Sequence, residues 1–142
     1  ILWRSVAISR LDYFTSFVMT VYNLFVTNTR IIGAKGEDIA SSYLTSKGYR
    51  IIDRNFQTKL GELDIVAEKG EFIIFIEVKY RSNLSFGYPY EAVNSHKLFK
   101  LKKMVEVYML VNKVKKQAKV EILSIWEENG ETKIKHYTDL YF

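Results

Sequence analysis

The sequence contains no cysteine, one proline and two histidines among its 142 residues. Without cysteine the chain cannot form a disulfide framework, a thiol nucleophile or a cysteine-ligated zinc site. This absence fits a reducing compartment, so we expect a cytoplasmic protein. His96 and His136 lie far apart and do not show the spacing of a histidine-based zinc site or a catalytic triad. The length suits one domain with one core.

The first thirty residues differ in composition from the rest of the chain. Residues 13–26 are rich in apolar side chains, but Thr, Ser and Asn interrupt them, and the run is too short and too polar for a transmembrane helix. We therefore expect no stable membrane insertion, and we divide the chain into an N-terminal extension over 1–30 and a domain over 31–142. Met19 is a candidate start, with the residues before it an upstream extension. The alternative is an N-terminal helix that packs on the domain.

Two strand-like runs lie within residues 61–82, GELDIVAEKGEFIIFIEVKYRS, and a tight hairpin signal joins them. Both runs carry charged side chains, although burying a charge costs free energy unless it is paired or binds a metal. Glu77 and Lys79 are two positions apart and therefore point to the same face of a strand. Pairing across the hairpin places Asp64 close to Glu77. The sequence thus predicts a small acidic site with a lysine beside it.

The residue types of this site favour a divalent cation. Two carboxylates forced together repel each other, and one takes up a proton unless a cation joins them. Oxygen ligands favour Mg²⁺ or Mn²⁺, which we expect as the cofactor. Such a site activates water for attack on a phosphodiester. Lys79 would orient or deprotonate the water, or neutralise the phosphate, and Glu37 would add a carboxylate from the first helix.

A simpler interpretation of the same residues stays open. Alternating glutamate and lysine residues on strands often form solvated ion pairs without any catalytic role. An exposed glutamate near the start of a helix, such as Glu37, is favoured by the helix dipole alone.

Periodicity predicts the remaining elements. A helix is expected over 34–47, a short strand over 49–56, and a long helix over 90–112. Pro89 suits the first turn of that long helix. Two further strands follow, joined by an Asn-Gly turn. With the hairpin, the order is helix, three strands, helix and two strands, which predicts an α/β domain with a central mixed sheet flanked by helices.

Three sequence blocks carry a resemblance to a known family. They are GAKGEDIASSYLTSKGYRIIDRNF, GELDIVAEKGEFIIFIEVKYRS and FGYPYEAVNSHKLFKL. In this order they resemble the YraN family of bacterial proteins, which is related to the PD-(D/E)xK nucleases and to archaeal Holliday-junction resolvases. The resemblance covers about residues 31–142. It implies the αβββαβ core of the restriction-endonuclease-like fold.

The resemblance also implies roles for individual residues. Asp64 matches the aspartate of the superfamily motif, Glu77 its second acid and Lys79 its lysine. Glu37 matches a glutamate on the first helix of many members. The implied metal ligands are Asp64, Glu77, the backbone carbonyl of Val78 and Glu37. Because relatives that cut junctions act as dimers, a homodimer is implied by analogy.

The chain is basic, with a formal net charge of +5, and lysines are concentrated after Pro89. Between Lys97 and Lys119 there are eight lysines and one acidic residue. We expect one helix face to bind phosphates that flank the scissile one, without reading base sequence. The alternative is a solvated helix face. The candidate nucleic-acid contacts are Arg81 at the end of a strand, Gln57 in a loop entering the site, and His96, Lys97, Lys100 and Lys103 on the long helix.

These observations lead to one main functional hypothesis and two others. The main hypothesis is a metal-dependent endonuclease that hydrolyses DNA, with branched or recombination DNA as a candidate substrate. The second hypothesis is a DNA-binding or scaffold protein that has the same fold and no catalytic activity. The third is a membrane-peripheral protein that is anchored by residues 11–26 and whose lysines contact anionic lipid.

Overall fold

The computed structural model describes residues 10–85, 87–89 and 95–140. They form two α-helices and five β-strands: α1 (Arg10–Ser46), β1 (Arg50–Thr58), β2 (Gly61–Lys69), β3 (Phe72–Arg81), α2 (Ser95–Val111), β4 (Gln117–Glu128) and β5 (Glu131–Leu140). The chain divides into two compact units, one ending at Ile31 and the other beginning at Ile32, so α1 contributes residues to both.

The five strands form one mixed sheet in the order β1-β2-β3-β4-β5. Neighbouring strands are antiparallel except for β3 and β4, which are parallel. Parallel strands cannot be joined by a hairpin, and α2 lies in the connection between these two. β3 therefore has a partner on both sides, as its nearly continuous apolar run predicts. The predicted α/β fold with a central mixed sheet is confirmed.

Two apolar clusters cover the two faces of the sheet. Because strand side chains alternate in direction, Ile74 of β3 packs in one cluster with Leu44 from α1. Phe75, the next residue of β3, packs in the other cluster with Met104 from α2. The odd-numbered positions in this part of β3 therefore point towards α2.

The first helix is longer than the prediction over 34–47, because it begins at Arg10. In the N-terminal unit the large apolar side chains that the structure describes are exposed, so they do not form the buried stripe by which periodicity reveals a helix. Their exposed fractions lie between 44% and 62% for Val18, Met19, Val21, Tyr22, Leu24 and Ile31. Within residues 10–85, 87–89 and 95–140, no helix has the length and apolarity that a membrane span requires.

The turn between β4 and β5 has the conformation that the sequence predicts. Asn129 and Gly130 have φ angles of 53° and 76° and join β4 to β5, which is the geometry that an Asn-Gly hairpin turn needs. Of the long helix predicted over 90–112, the structure describes α2 (Ser95–Val111). The predicted start of that helix, over 90–94, lies outside the described residues.

Gly36 marks a close approach of α1 to β3. A Cβ atom at Gly36 would lie 2.5 Å from the Cβ of Tyr80, a distance that real Cβ atoms do not reach. On the same helix, a Cβ atom at Gly33 would meet nothing within 4 Å.

We expect Gly36→Ala to lower the free energy of unfolding by about 1–3 kcal/mol, because α1 or β3 must shift to admit the methyl group. Gly33→Ala is the matched control, and it should raise the free energy of unfolding by about 0.5–1 kcal/mol because alanine is the better helix former. Urea denaturation followed by circular dichroism measures both. Equal effects of the two substitutions would contradict the close approach.

Candidate active site

β2 and β3 stop pairing where the acidic residues lie. Their ladder ends at the pair formed by Ile65 and Ile76. In the same register the next two residues are Asp64 and Glu77. There the backbone N–H of Val78 donates a hydrogen bond to Oδ2 of Asp64, at 2.7 Å, in place of a ladder hydrogen bond. The Asp64 carboxylate is therefore fixed against β3 at the point where the two strands separate.

Glu77 and Lys79 continue the face of β3 that begins with Phe75. Glu77 is buried, with 7% of its surface exposed. The ammonium group of Lys79 donates to Oε1 of Glu77 and lies 3.4 Å from the carbonyl oxygen of Val78. The structure thus brings Asp64, Glu77 and Lys79 together, with the two acids on neighbouring strands.

A second lysine reaches the same carboxylate from α2. The Nζ atom of Lys97 lies 2.8 Å from Oε1 of Glu77, so this oxygen faces two ammonium groups. Sequence reasoning named Lys97 only as a phosphate contact and missed its contact with Glu77. No local pattern could reveal it, because the contact depends on how α2 is positioned over the sheet.

These side chains line an open pocket of about 340 Å³. Its lining residues are Leu60, Gly61, Glu62, Asp64, Glu77, Lys79, Lys97, Lys100, Leu101 and Met104. Leu101 and Met104 are buried apolar residues of α2. They exclude water from one side of the pocket, which strengthens the interactions among its charges.

The two acids of the pocket differ in their preference for a proton. Burial, followed by the negative charge of Glu77, raises the pKa of Asp64 from its ordinary value of 3.8 to about 7. Burial also acts to raise the pKa of Glu77, but Lys79 and Lys97 outweigh it and hold that pKa below its ordinary value. Burial lowers the pKa of Lys79, against the opposing effect of Glu77. Near neutral pH, Asp64 is therefore the acid that takes up a proton, and Glu77 stays ionised.

The oxygen atoms of this pocket suit a hard divalent cation. Asp64 and Glu77 offer carboxylates, and Val78, the residue after Glu77 on β3, offers a backbone carbonyl. Because burial and the charge of Glu77 raise the pKa of Asp64, bound positive charge would displace the proton of Asp64. No group of three or more acidic or histidine side chains within the described residues is arranged to hold a metal. Water and substrate oxygens would therefore complete the coordination, as is usual for Mg²⁺.

Glu37 lies beside this pocket and does not line it. Its Oε2 atom accepts a hydrogen bond from the side-chain amide of Asn55 at 2.7 Å and lies 3.5 Å from Arg54. Its charge still contributes to raising the pKa of Asp64. In this structure Glu37 thus acts on Asp64 through its charge, and its carboxylate is engaged by β1.

The candidate nucleic-acid contacts do not all surround the pocket. Lys97 and Lys100 line it, whereas Lys103 pairs with Glu106 at 3.0 Å on the solvent side of α2. His96 is exposed near the start of α2.

The two candidates from the sheet also lie away from the pocket lining. Arg81 is the last residue of β3. Gln57 belongs to β1, opposite Glu62, so the prediction that it lies in a loop is wrong. The reason is that β1 continues to Thr58 before the chain turns.

The lysines of the basic segment form two groups, one on α2 and one after its last residue. The first group consists of Lys97, Lys100, Lys102 and Lys103, and the second of Lys113, Lys115, Lys116 and Lys119. Because α2 is about 25 Å long, the second group lies at the far end of the helix from Lys97. Lys116 pairs with Glu68 at 2.9 Å, and Lys119 lies over the ring of Phe72 at the start of β3. Among these lysines, Lys97 and Lys100 line the pocket.

A second Glu-x-Lys sequence shows what distinguishes the pocket from an ordinary ion pair. Glu131 and Lys133 on β5 also form an ion pair, but their side chains are 70% and 42% exposed. The corresponding fractions for Glu77 and Lys79 are 9% and 19%. The spacing is the same, and Glu131 also has an acid, Glu128, as its cross-strand partner, so burial is the distinguishing feature.

We expect Asp64→Asn to stabilise the protein without added metal at pH 8, by about 1 kcal/mol or more. Because the pKa of Asp64 is raised on folding, the folded chain binds more protons between pH 4 and 7, and stability falls as pH rises through that window. Asparagine removes this dependence and can still accept the Val78 hydrogen bond.

Thermal unfolding at pH 4.5 and pH 8 in EDTA measures this effect, and the gain should be confined to the higher pH. Glu62→Gln, at the exposed rim of the same pocket, is the control and should change stability by less than about 0.5 kcal/mol. A destabilised Asp64→Asn protein at pH 8 would contradict the inferred repulsion.

Comparison with known proteins gives the family of this chain. A family model described as the uncharacterised protein family UPF0102 matches residues 36–125. A UPF0102 protein from Carboxydothermus hydrogenoformans is 43% identical over 114 residues, which cover 80% of this chain and 97% of that protein. One from Dictyoglomus thermophilum is 46% identical over 99 residues, covering 69% of this chain and 84% of that protein. One from Fusobacterium nucleatum is 50% identical over 82 residues, covering 58% and 69%. The predicted resemblance is confirmed, and the chain belongs to the uncharacterised protein family UPF0102, the YraN family.

Proposed function

We propose that the protein is a divalent-metal-dependent endonuclease that hydrolyses phosphodiester bonds of DNA. The observation that carries this proposal is the convergence of Asp64, Glu77 and Lys79 in one pocket, where burial and repulsion raise the pKa of Asp64 to about 7. Placing two carboxylates together in a partly dry site opposes folding unless positive charge joins them. Binding of a cation together with a phosphate would explain why Asp64, Glu77 and Lys79 lie in one pocket.

The chemistry of the pocket follows from its charges. Mg²⁺ or Mn²⁺, held by Asp64, Glu77 and the Val78 carbonyl, would polarise the phosphate and make a bound water more acidic. The water would lose a proton to solvent as its oxygen bonds to phosphorus, the bond from phosphorus to the leaving oxygen would break, and that oxygen would gain a proton from solvent. As an ammonium group beside Glu77, Lys79 would stabilise the negative charge that develops on the phosphate oxygens. Because its pKa is lowered, its neutral form is more accessible than that of an exposed lysine, and in that form it would instead accept the proton of the water.

The basic residues near the pocket support a nucleic acid as the substrate. Lys97 and Lys100 line the pocket, and the chain carries an excess of five positive charges. Lysines bind phosphates without reading bases, so selectivity should depend on DNA structure more than on sequence. Branched DNA is the first structure to test because the resemblance extends to junction resolvases.

The alternative function is DNA binding without cleavage. One observation favours it: both Lys79 and Lys97 contact Glu77, so the cluster is partly neutralised without any cation. A structural ion cluster on a nuclease-like fold would look similar, and fold alone does not fix function. Activity measurements therefore have to separate the two functions.

We expect metal-dependent cutting that Glu77→Gln and Lys79→Ala each reduce by about a hundredfold or more, because each removes charge from the reacting centre. Labelled linear duplex, single-stranded, flap and four-way-junction DNA are incubated with Mg²⁺, with Mn²⁺ or with EDTA. The matched controls are Glu131→Gln and Lys133→Ala, which alter the exposed Glu-x-Lys pair on β5 and should cut like the wild type.

All variants are purified identically, so that a contaminating nuclease would appear equally in each. If no DNA is cut with either metal, while salt-sensitive binding is the same in wild type and Glu77→Gln, the protein is a DNA-binding protein and the proposed activity is wrong.

A further inference from the structure

The ion pair between Lys97 and Glu77 blocks one of the oxygens that a cation would need. Oε1 of Glu77 faces the ammonium groups of both Lys79 and Lys97. Three lysines, Lys79, Lys97 and Lys100, line the pocket together with three acids, Glu62, Asp64 and Glu77. A divalent cation that enters the pocket therefore has to compete with ammonium groups that already contact Glu77.

The two lysines are held differently. Lys79 stands on the same strand as Glu77, is 19% exposed, and also lies near the Val78 carbonyl. Lys97 reaches Glu77 from α2, and 39% of its side chain is exposed. A long, partly exposed side chain near a helix end can change rotamer without disturbing the sheet, because rotamer changes of exposed residues are fast and local. Lys97 is therefore the lysine that can leave Glu77.

A phosphate at the pocket supplies the alternative partner for Lys97. The distance from the Lys97 ammonium group to Glu77 is 2.8 Å, and both residues line the same open pocket. A backbone phosphate entering the pocket would compete with Glu77 for this ammonium group. When Lys97 turns to the phosphate, Oε1 of Glu77 loses one of its two cationic partners and is exposed to a cation.

We propose that Lys97 is a positioning residue that exchanges Glu77 for a backbone phosphate, so that phosphate binding and divalent-cation binding assist each other. This inference rests on the proposed function for its substrate class. Its consequence is reciprocal: DNA tightens cation binding by the same factor by which the cation tightens DNA binding. Without DNA, Lys97 keeps the site in a form that binds cations weakly.

The test measures Mn²⁺ binding to the intact chain without DNA, by the loss of the free Mn²⁺ signal in electron paramagnetic resonance. Lys97→Met keeps the apolar stem and removes the charge, and it should tighten Mn²⁺ binding by about tenfold. Lys102→Met is the matched control, because Lys102 is an exposed lysine of the same helix and does not line the pocket. It should change the dissociation constant by less than about threefold. Thermal unfolding checks that both variants are folded.

The second arm adds a short DNA duplex whose strands are shown to be intact on a gel after the measurement. In the wild type and in Lys102→Met, the duplex should tighten Mn²⁺ binding by about tenfold. In Lys97→Met the gain should fall to about twofold, because the competing ammonium group is already absent. A structural role for Lys97 would lower the melting temperature without changing this coupling.

The outcomes separate the inference from the proposed activity. Tighter Mn²⁺ binding in Lys97→Met alone, with no DNA cutting by the wild type, supports the exchange and rejects the nuclease. DNA cutting with equal Mn²⁺ affinity in the wild type and Lys97→Met overturns the exchange and keeps the nuclease. Weaker Mn²⁺ binding in Lys97→Met, or no binding in any of the three proteins, also overturns the exchange.

Discussion

The buried carboxylate of Glu77 sets the constraint on which the arrangement of the site depends. It lies on the central strand of the sheet, where an ionised acid is stable only if opposite charge and hydrogen bonds compensate for lost water. The fold supplies that compensation from two elements. β3 itself carries Lys79 two residues later, and α2 brings Lys97 across the sheet face. α2 lies in the connection between the parallel strands β3 and β4. The pairing that makes β3 a central strand therefore also places Lys97 of α2 near Glu77.

Asp64 adds a charge that this compensation offsets only in part, because Lys79 lowers the pKa of Asp64 less than burial and Glu77 raise it. Its carboxylate is held by the Val78 N–H beside an already ionised acid, and its raised pKa reflects that position. The two apolar clusters, one on each face of the sheet, provide the stability that such a site draws on. A local arrangement that opposes folding within an otherwise consistent structure is typical of a functional site.

The residues on one hairpin could be predicted from sequence, whereas contacts between distant elements could not. Two-residue alternation and the turn near Gly70 suffice to place Asp64, Glu77 and Lys79 together. The contact of Lys97 with Glu77 depends on the position of α2 over the sheet, which no local pattern encodes. Gln57 was misplaced because strand ends are weakly marked in sequence. The Glu-x-Lys spacing itself occurs twice in the chain, so only burial distinguishes the copy at the candidate site from the one on β5.

The position of the lysines on α2 supports the proposal that the pocket takes a phosphate. Lys97 and Lys100 are three residues apart, which places them on one face of the helix, and both line the pocket. The lysines that follow Val111 have partners elsewhere on the sheet: Lys116 pairs with Glu68, and Lys119 lies over the ring of Phe72. The charges that α2 brings to the acidic residues of β2 and β3 are therefore basic, and a phosphate is the group that they would bind there.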